Sequence, residues 1–303
     1  MPKKKIATIQ VDLDGLWTNL KYYGHNHPVN PDPVLESSIP RYLDLFDKFD
    51  IKATFFLIGR DGEISEKAKL IRELSKAGHE IANHTYSHHF GFRKCSWQQK
   101  LAEIRKGSEI IEKITGKKPT GFKAPGYDFD GNTLLALEKE GYKYDSSMIP
   151  TFVYPLMMKA AHVISGGVKR THGPRWKWAL APNYPYHPSS RNEMKKGKLS
   201  IMELPCTVTP FFRLPFHATF ALRLGLPYFL PAYKLGKLAG TPLNYEFHAL
   251  DLADDLKDLR LPHARGLPLQ KRYILSKKIL KIMSQDYIFK PSEEVVRGLE
   301  NTN

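Results

Sequence analysis

Apolar residues along this chain recur at two alternating periods. Residues 6–12 alternate apolar and polar positions, as a strand with one buried face does, and run into Asp14-Gly15. Residues 33–50 repeat at helical spacing through Ile39, Tyr42, Leu43, Leu45, Phe46 and Phe49. A β-rich run at 53–58 closes at Gly59, and a second helix is expected over 63–77, ended by Gly78. A short strand at 80–82, a helix over 97–115 before Gly116, a strand at 121–125, a helix over 132–140 and a strand at 142–146 continue the rhythm. Strands alternating with helices in this way predict a parallel sheet, open or closed into a barrel. Residues 17–30 read as an aromatic loop holding His25 and His27, each an exposed side chain or a ligand.

The rhythm breaks over residues 150–243, which are rich in proline and aromatics, with one clear strand at 200–204. Within them, 211–233 is apolar but interrupted by Arg213, His217, Arg223 and prolines. It lines a substrate groove, lies against a membrane surface, or forms an extra lobe over the barrel. Strand character returns at 243–252, delivering His248 and Asp251, and a basic helix is expected over 269–283. The expected organisation is one α/β domain over 1–290, with 150–243 inserted as a lid or substrate lobe and a loosely held tail at 291–303.

In parallel α/β folds, active residues gather at the C-terminal ends of strands. Asp12, Asp14, His84, Lys123 and Asp145 all fall at or just beyond such ends. Asp12 and Asp14 are two apart and project to one face of a strand, with Leu13 turned into the core. His84 and His88 are four apart; if the backbone turns helical after Asn83, both imidazoles share a face. Such a pair caps a helix, hydrogen-bonds in a loop, or grips a divalent cation at about 2.0–2.1 Å per ligand. Thr85 and Ser87 would then supply hydroxyls to orient those ligands, and an acidic strand end would give the third.

Composition narrows the partners. The formal charge is +15, from 46 Lys and Arg against 31 Asp and Glu, which favours anionic partners such as acidic glycans or phospholipid headgroups. The basic residues read as dispersed apart from Lys3–Lys5 and Lys195–Lys198, and no nucleic-acid signature accompanies them. No window is apolar enough to span a bilayer, and no signal-peptide pattern follows the first lysines. The expected location is cytoplasmic, with peripheral attachment at the inner membrane face as an option. Cys95 and Cys206 read as two free thiols. Nothing in the sequence sets the oligomeric state.

With those segments in order, the chain resembles the polysaccharide deacetylases, the NodB-homology carbohydrate esterases. Val11-Asp12-Leu13-Asp14-Gly15 looks like their first motif and His84-Thr85-Tyr86-Ser87-His88 like the second. Phe122-Lys123-Ala124-Pro125-Gly126-Tyr127 resembles the third, Tyr144-Asp145-Ser146-Ser147 the fourth region, and Glu246-Phe247-His248-Ala249-Leu250-Asp251 the last. The resemblance spans about residues 5–252 and implies a distorted β/α barrel with one divalent cation, often zinc, held by Asp14, His84 and His88. The chain departs from the family pattern in three places. The adjacent acid pair of the first motif is opened to Asp-x-Asp, so the base passes to Asp12; Lys123 stands where an arginine is usual; and a tryptophan near the fourth motif is absent. A similar Asp-x-Asp occurs in deformylases of lipid-linked aminoarabinose and in cyclic-amide hydrolases of the allantoinase type.

The implied chemistry is metal-assisted hydrolysis of an N-acyl, chiefly acetyl, group on an amino sugar of a glycan or glycolipid. In it Asp12, kept ionised by Lys123, takes the water proton, the backbone N–H of Tyr127 holds the oxyanion, and His248 as imidazolium protonates the leaving amine. Pro125, Gly126, Asp145 and Asp251 are candidate substrate contacts. A lipid-linked sugar at the cytoplasmic membrane face is the alternative substrate, and a glycan-binding module that has lost catalysis is the alternative class. A cyclic-amide hydrolase is set aside because some such relatives dispense with metal and this chain keeps the triad.

Overall fold

The computed structural model describes residues 4–22, 24–157, 173–256 and 266–301. Its frame is β1 (Lys5–Asp12), a strand whose alternation assigns its two faces. Ala7, Ile9 and Val11 pack outward with the surrounding helices in the largest apolar cluster. Thr8, Gln10 and Asp12 turn the other way, into a polar barrel interior. There Thr8 donates to Asn244 Oδ1 at 2.8 Å and Gln10 Nε2 donates to Ser292 Oγ at 3.1 Å, so buried polarity on this strand finds partners.

From β1 the sheet runs in parallel through β2 (Thr54–Leu57), β3 (Glu80–Asn83), β4 (Gly121–Phe122) and β5 (Tyr144–Asp145). A two-stranded antiparallel hairpin, β6 (Pro188–Ser189) and β7 (Asn192–Lys196), stands apart. The sheet continues to β8 (Met202–Glu203) beside β5, while β9 (Asn244–His248) pairs with β1 from the other side. The two ends meet without a ladder: the Thr207 N–H donates to the Asn244 carbonyl at 3.1 Å and the Asn244 N–H to Thr207 Oγ1 at 2.7 Å. The predicted distorted β/α barrel is the observed architecture.

Several expected elements have different bounds. The helix Trp97–Thr115 matches its pattern, fixed by a Ser96–Gln99 capping box and by Gly116 in the left-handed region. The expected helix over 63–77 is observed as Ser65–Lys76, preceded by a one-turn helix, Gly59–Gly62. The presumed loop after Gly15 begins instead with the helix Leu16–Tyr22, which buries Leu16, Trp17 and Leu20. Asp32 Oδ1 accepts the Leu16 N–H at 3.1 Å, a long-range cap that no local pattern announces.

Residues 150–243 are more than a lid. They supply β8, and the helices Ala218–Leu224 and Leu226–Leu238 bury Leu222, Phe229 and Tyr233 in the main core. Residues 158–172 of this stretch lie outside those described. The tail is not loosely held either. β10 (Tyr287–Phe289) pairs with the first residues of β1, and the helix Ser292–Glu300 follows it. Val296 of that helix clusters with Phe56, Ala82, Tyr144, Met202 and Leu204, which closes the barrel floor.

Candidate metal centre and hydrolytic site

Asp14, His84 and His88 bring one ligand atom each within 4.8 Å of one another. Asp14 Oδ1 lies 3.0 Å from His88 Nε2 and 3.7 Å from His84 Nε2. The two histidines are not on a helix. They sit in the loop after β3, where Thr85 and His88 adopt φ of 63° and 49°, and this turn supplies the convergence that helical spacing was expected to give. The expected roles of the neighbouring hydroxyls also change. Ser87 Oγ and N–H donate to Glu103 at 2.7 and 2.8 Å, which pins the loop to the helix Trp97–Thr115, while Thr85 Oγ1 has no partner among the described residues.

These side chains fit a divalent cation. His84 Nδ1 is 2.7 Å from the Lys123 carbonyl, so it carries the proton and leaves the Nε2 lone pair facing Asp14. Asp14 Oδ1 and both His88 nitrogens are buried and, among the described residues, make no hydrogen bond, a cost that a bound ion would remove. Burial holds the His84 imidazole down to about 3, keeping it neutral as a ligand must be. Burial pushes the Asp14 carboxyl up, but His88 and His84 outweigh it and hold Asp14 below the usual carboxylate range.

The loop carrying Asp14 is fastened from behind. Asp32 accepts the N–H groups of Leu16, Val34 and Leu35 and pairs with Lys67 Nζ at 2.9 Å. Lys67 also binds Asp61, which accepts the Trp17 indole N–H at 3.0 Å. A Cβ on Gly15 would stand 2.0 Å from Asp32 Oδ2, so this approach requires glycine.

Beside the triad lies a second acidic group, and here the sequence reading missed a residue. Lys123 Nζ donates to Asp12 Oδ1 at 2.8 Å and to Glu246 Oε2 at 3.0 Å. Glu246 also accepts the Tyr127 hydroxyl and the Cys206 thiol, and its Oε1 is 3.4 Å from His248 Nε2. Asp12, Glu246 and His248 could themselves surround a metal, but the Lys123 ammonium already links the two carboxylates. Glu246 was legible as part of the last motif; its inward direction on β9, in register with Gln10, shows only in the fold.

Sharing Lys123 changes the expected electrostatics. Burial, helped by Glu246 and opposed by Lys123, raises Asp12 to about 7, so the lysine does not simply keep Asp12 ionised. Glu246 is itself held low: burial opposes ionisation, but Lys123 and His248 prevail. Burial would lower the His248 pKa, yet Glu246, Asp12, Asp251 and Asp14 together raise it above the ordinary imidazole value. The Asp251 carboxylate accepts the backbone N–H of His248 at 2.8 Å and the Thr219 hydroxyl at 3.2 Å.

A cleft of about 370 Å3 opens over these groups. Asp14, His88, Gly126, Tyr127, His248 and Asp251 line it, with Tyr22, Phe90 and Tyr154 as aromatic walls. Asp12, His84 and Lys123 are buried and absent from the lining. Two expected substrate contacts also fall outside it. Pro125 is buried in a tight turn, and Asp145 is wholly buried beside Glu203, accepting from Ser147 Oγ at 2.7 Å. The expected oxyanion donor fails for a local reason: the Tyr127 N–H already donates to the Ala124 carbonyl at 3.0 Å. Among the described residues His25 and His27 join neither metal-capable group.

Residues 30–144 match the polysaccharide deacetylase family. A peptidoglycan deacetylase of Helicobacter pylori is 36% identical over 156 residues, covering 49% of this chain and 51% of that protein. A peptidoglycan-N-acetylglucosamine deacetylase of Bacillus cereus is 28% identical over 139 residues, covering 41% and 49%. These matches therefore span about half the length of each relative. Among solved structures, a Mycobacterium smegmatis protein assigned to the polysaccharide deacetylases superposes with a TM-score of 0.62 at 18% identity, covering 100% of this chain and 93% of its own. The PuuE allantoinase superposes with a TM-score of 0.61 at 17% identity, covering 100% and 92%. At such identities the structures establish the shared barrel.

Proposed function

Since the chain belongs to the polysaccharide deacetylase family, we propose that it is a metal-dependent hydrolase that removes an N-acetyl group from an amino sugar of a glycan. The observation that carries this reading is the convergence of Asp14, His84 and His88 beside the Asp12–Lys123–Glu246 group, under a cleft sized for a small ligand. The peptidoglycan deacetylases among its relatives support the substrate class. Two imidazoles and a carboxylate suit zinc, with a position left open as catalytic zinc sites require. A divalent ion held there supplies water activation and polarisation of the acyl carbonyl.

The remaining steps belong to the chain. Asp12 accepts the proton of the attacking water, with a carboxyl poised near neutrality, where a general base works best. His248 lines the cleft, its imidazole pKa raised by the surrounding carboxylates, and donates a proton to the departing amine. Lys123 and Glu246 position these two groups against each other. Acetate release from N-acetylglucosamine oligomers tests the assignment. Asp12→Asn is expected to lower kcat about 100-fold or more, with metal content unchanged; an Asp12→Asn variant turning over at the parental rate would remove Asp12 from the mechanism.

A further inference from the structure

The basic residues are spread along the chain, but the acidic ones are not, so the net positive charge is uneven. Residues 146–245 hold thirteen of the 46 Lys and Arg but only two of the 31 Asp and Glu, so this third of the chain carries eleven of the fifteen net charges. Both acids, Glu193 and Glu203, are buried. Glu193 pairs with Arg175, and neither acid pairs with the exposed Lys177, Arg191 or Arg223.

Three short segments of this region meet at one point. The Thr151 hydroxyl donates to the Arg213 carbonyl at 2.6 Å, and Arg213 Nη1 donates to the Ala181 carbonyl at 3.0 Å. Around that junction stand Phe152, Leu180, Phe211 and Phe212, which are 38, 84, 84 and 65% exposed. The turn carrying the paired phenylalanines is fixed, with Thr209 N–H on the Leu214 carbonyl at 2.8 Å and Arg213 N–H on the Thr209 carbonyl at 3.0 Å. Phe211 has φ of 62°, a left-handed conformation that bulky side chains rarely adopt. A strained, closed turn thus holds two rings out in solvent, where folding alone gains nothing from them.

The character of the patch selects its occupant. Phe and Leu side chains offer no hydrogen bonds to sugar hydroxyls but partition well into hydrocarbon, and Lys177 lies on the same turn as Leu180. Apolar anchors set among cations match an anionic bilayer interface. Tyr154, two residues from Phe152, and Pro174, just before the Trp176–Leu180 turn, both line the cleft, so the patch flanks its mouth.

We propose that this face docks on an anionic lipid bilayer, with Phe211, Phe212 and Leu180 entering the interface and the surrounding basic side chains meeting lipid phosphates. The cleft then opens beside the membrane, where an amino sugar carried on a lipid comes within reach; that last step rests on the deacetylase reading above. Flotation of the full chain with phosphatidylcholine vesicles, with and without phosphatidylglycerol, tests the docking. The expected result is binding to the anionic vesicles, weakened by salt, and about tenfold weaker binding for the Phe211→Asn, Phe212→Ser double variant. That variant is expected to keep its acetate release from soluble oligomers. Absence of binding to anionic vesicles at low salt, equal binding to pure phosphatidylcholine, or undiminished binding of the double variant would each overturn the proposal. Because binding is read without turnover, any of these results leaves the deacetylase reading standing.

Discussion

Lys123 donates to two carboxylates from neighbouring strands, Asp12 on β1 and Glu246 on β9. One cation between two buried acids leaves them coupled, so the state of each depends on the other. Glu246 raises both Asp12 and His248. Replacing it with neutral glutamine therefore lowers both pKa values. The base loses its proton at lower pH, and the acid loses its proton at lower pH too. Both limbs of the kcat/KM profile of Glu246→Gln are expected to move toward acid, with a kcat loss of about 100-fold. A profile of unchanged shape and position would show that Glu246 does not act on these two groups. Histidine spacing and acid pairs made most of this site legible, because residue type and order carry ligand chemistry. The role of Glu246 was not, since only strand register shows that it turns inward to share Lys123 with Asp12. The Tyr127 N–H was misread because its commitment to Ala124 is a property of one turn.

At the scale of elements, legibility followed how locally each one is stabilised. The helix Trp97–Thr115 carries its own cap, stop and apolar stripe, so its bounds stood in the sequence. The helix Leu16–Tyr22 is held instead through Asp32 and Asp61, side chains from other elements. The segment after Pro291 looked like a tail because its helix is short and mostly polar. Its few buried groups nevertheless reach the barrel floor: Ser292 N–H donates to Thr54 Oγ1 at 2.8 Å and Glu293 N–H to Glu80 Oε2 at 3.1 Å. Val296 is 1% exposed, so Val296→Ala is expected to cost about 2 kcal/mol in denaturant unfolding. Ending the chain at Pro291 should destabilise the barrel further, by leaving Gln10, Thr54 and Glu80 short of partners. A chain so shortened that unfolded at the parental denaturant midpoint would return these residues to the status of a tail.

For the whole molecule, the parallel barrel places the metal-capable triad, the coupled carboxylates and His248 at one end, and Ser292–Glu300 closes the other. The same barrel occurs in structures bearing deacetylase and allantoinase names, so the fold alone does not select the reaction. What supports the proposed reaction in this chain is the convergence of Asp14, His84 and His88 beside Asp12, whose carboxyl burial raises to about 7. The most direct test is metal content together with acetate release from N-acetylglucosamine oligomers. Both are measured on the purified protein, on a chelator-stripped sample given zinc again, and on His84→Ala. The account predicts about one divalent ion per chain, activity lost on stripping and restored by zinc, and neither metal nor activity in His84→Ala. Acetate release that survives removal of all metal, or a full complement of metal retained by His84→Ala, would contradict it.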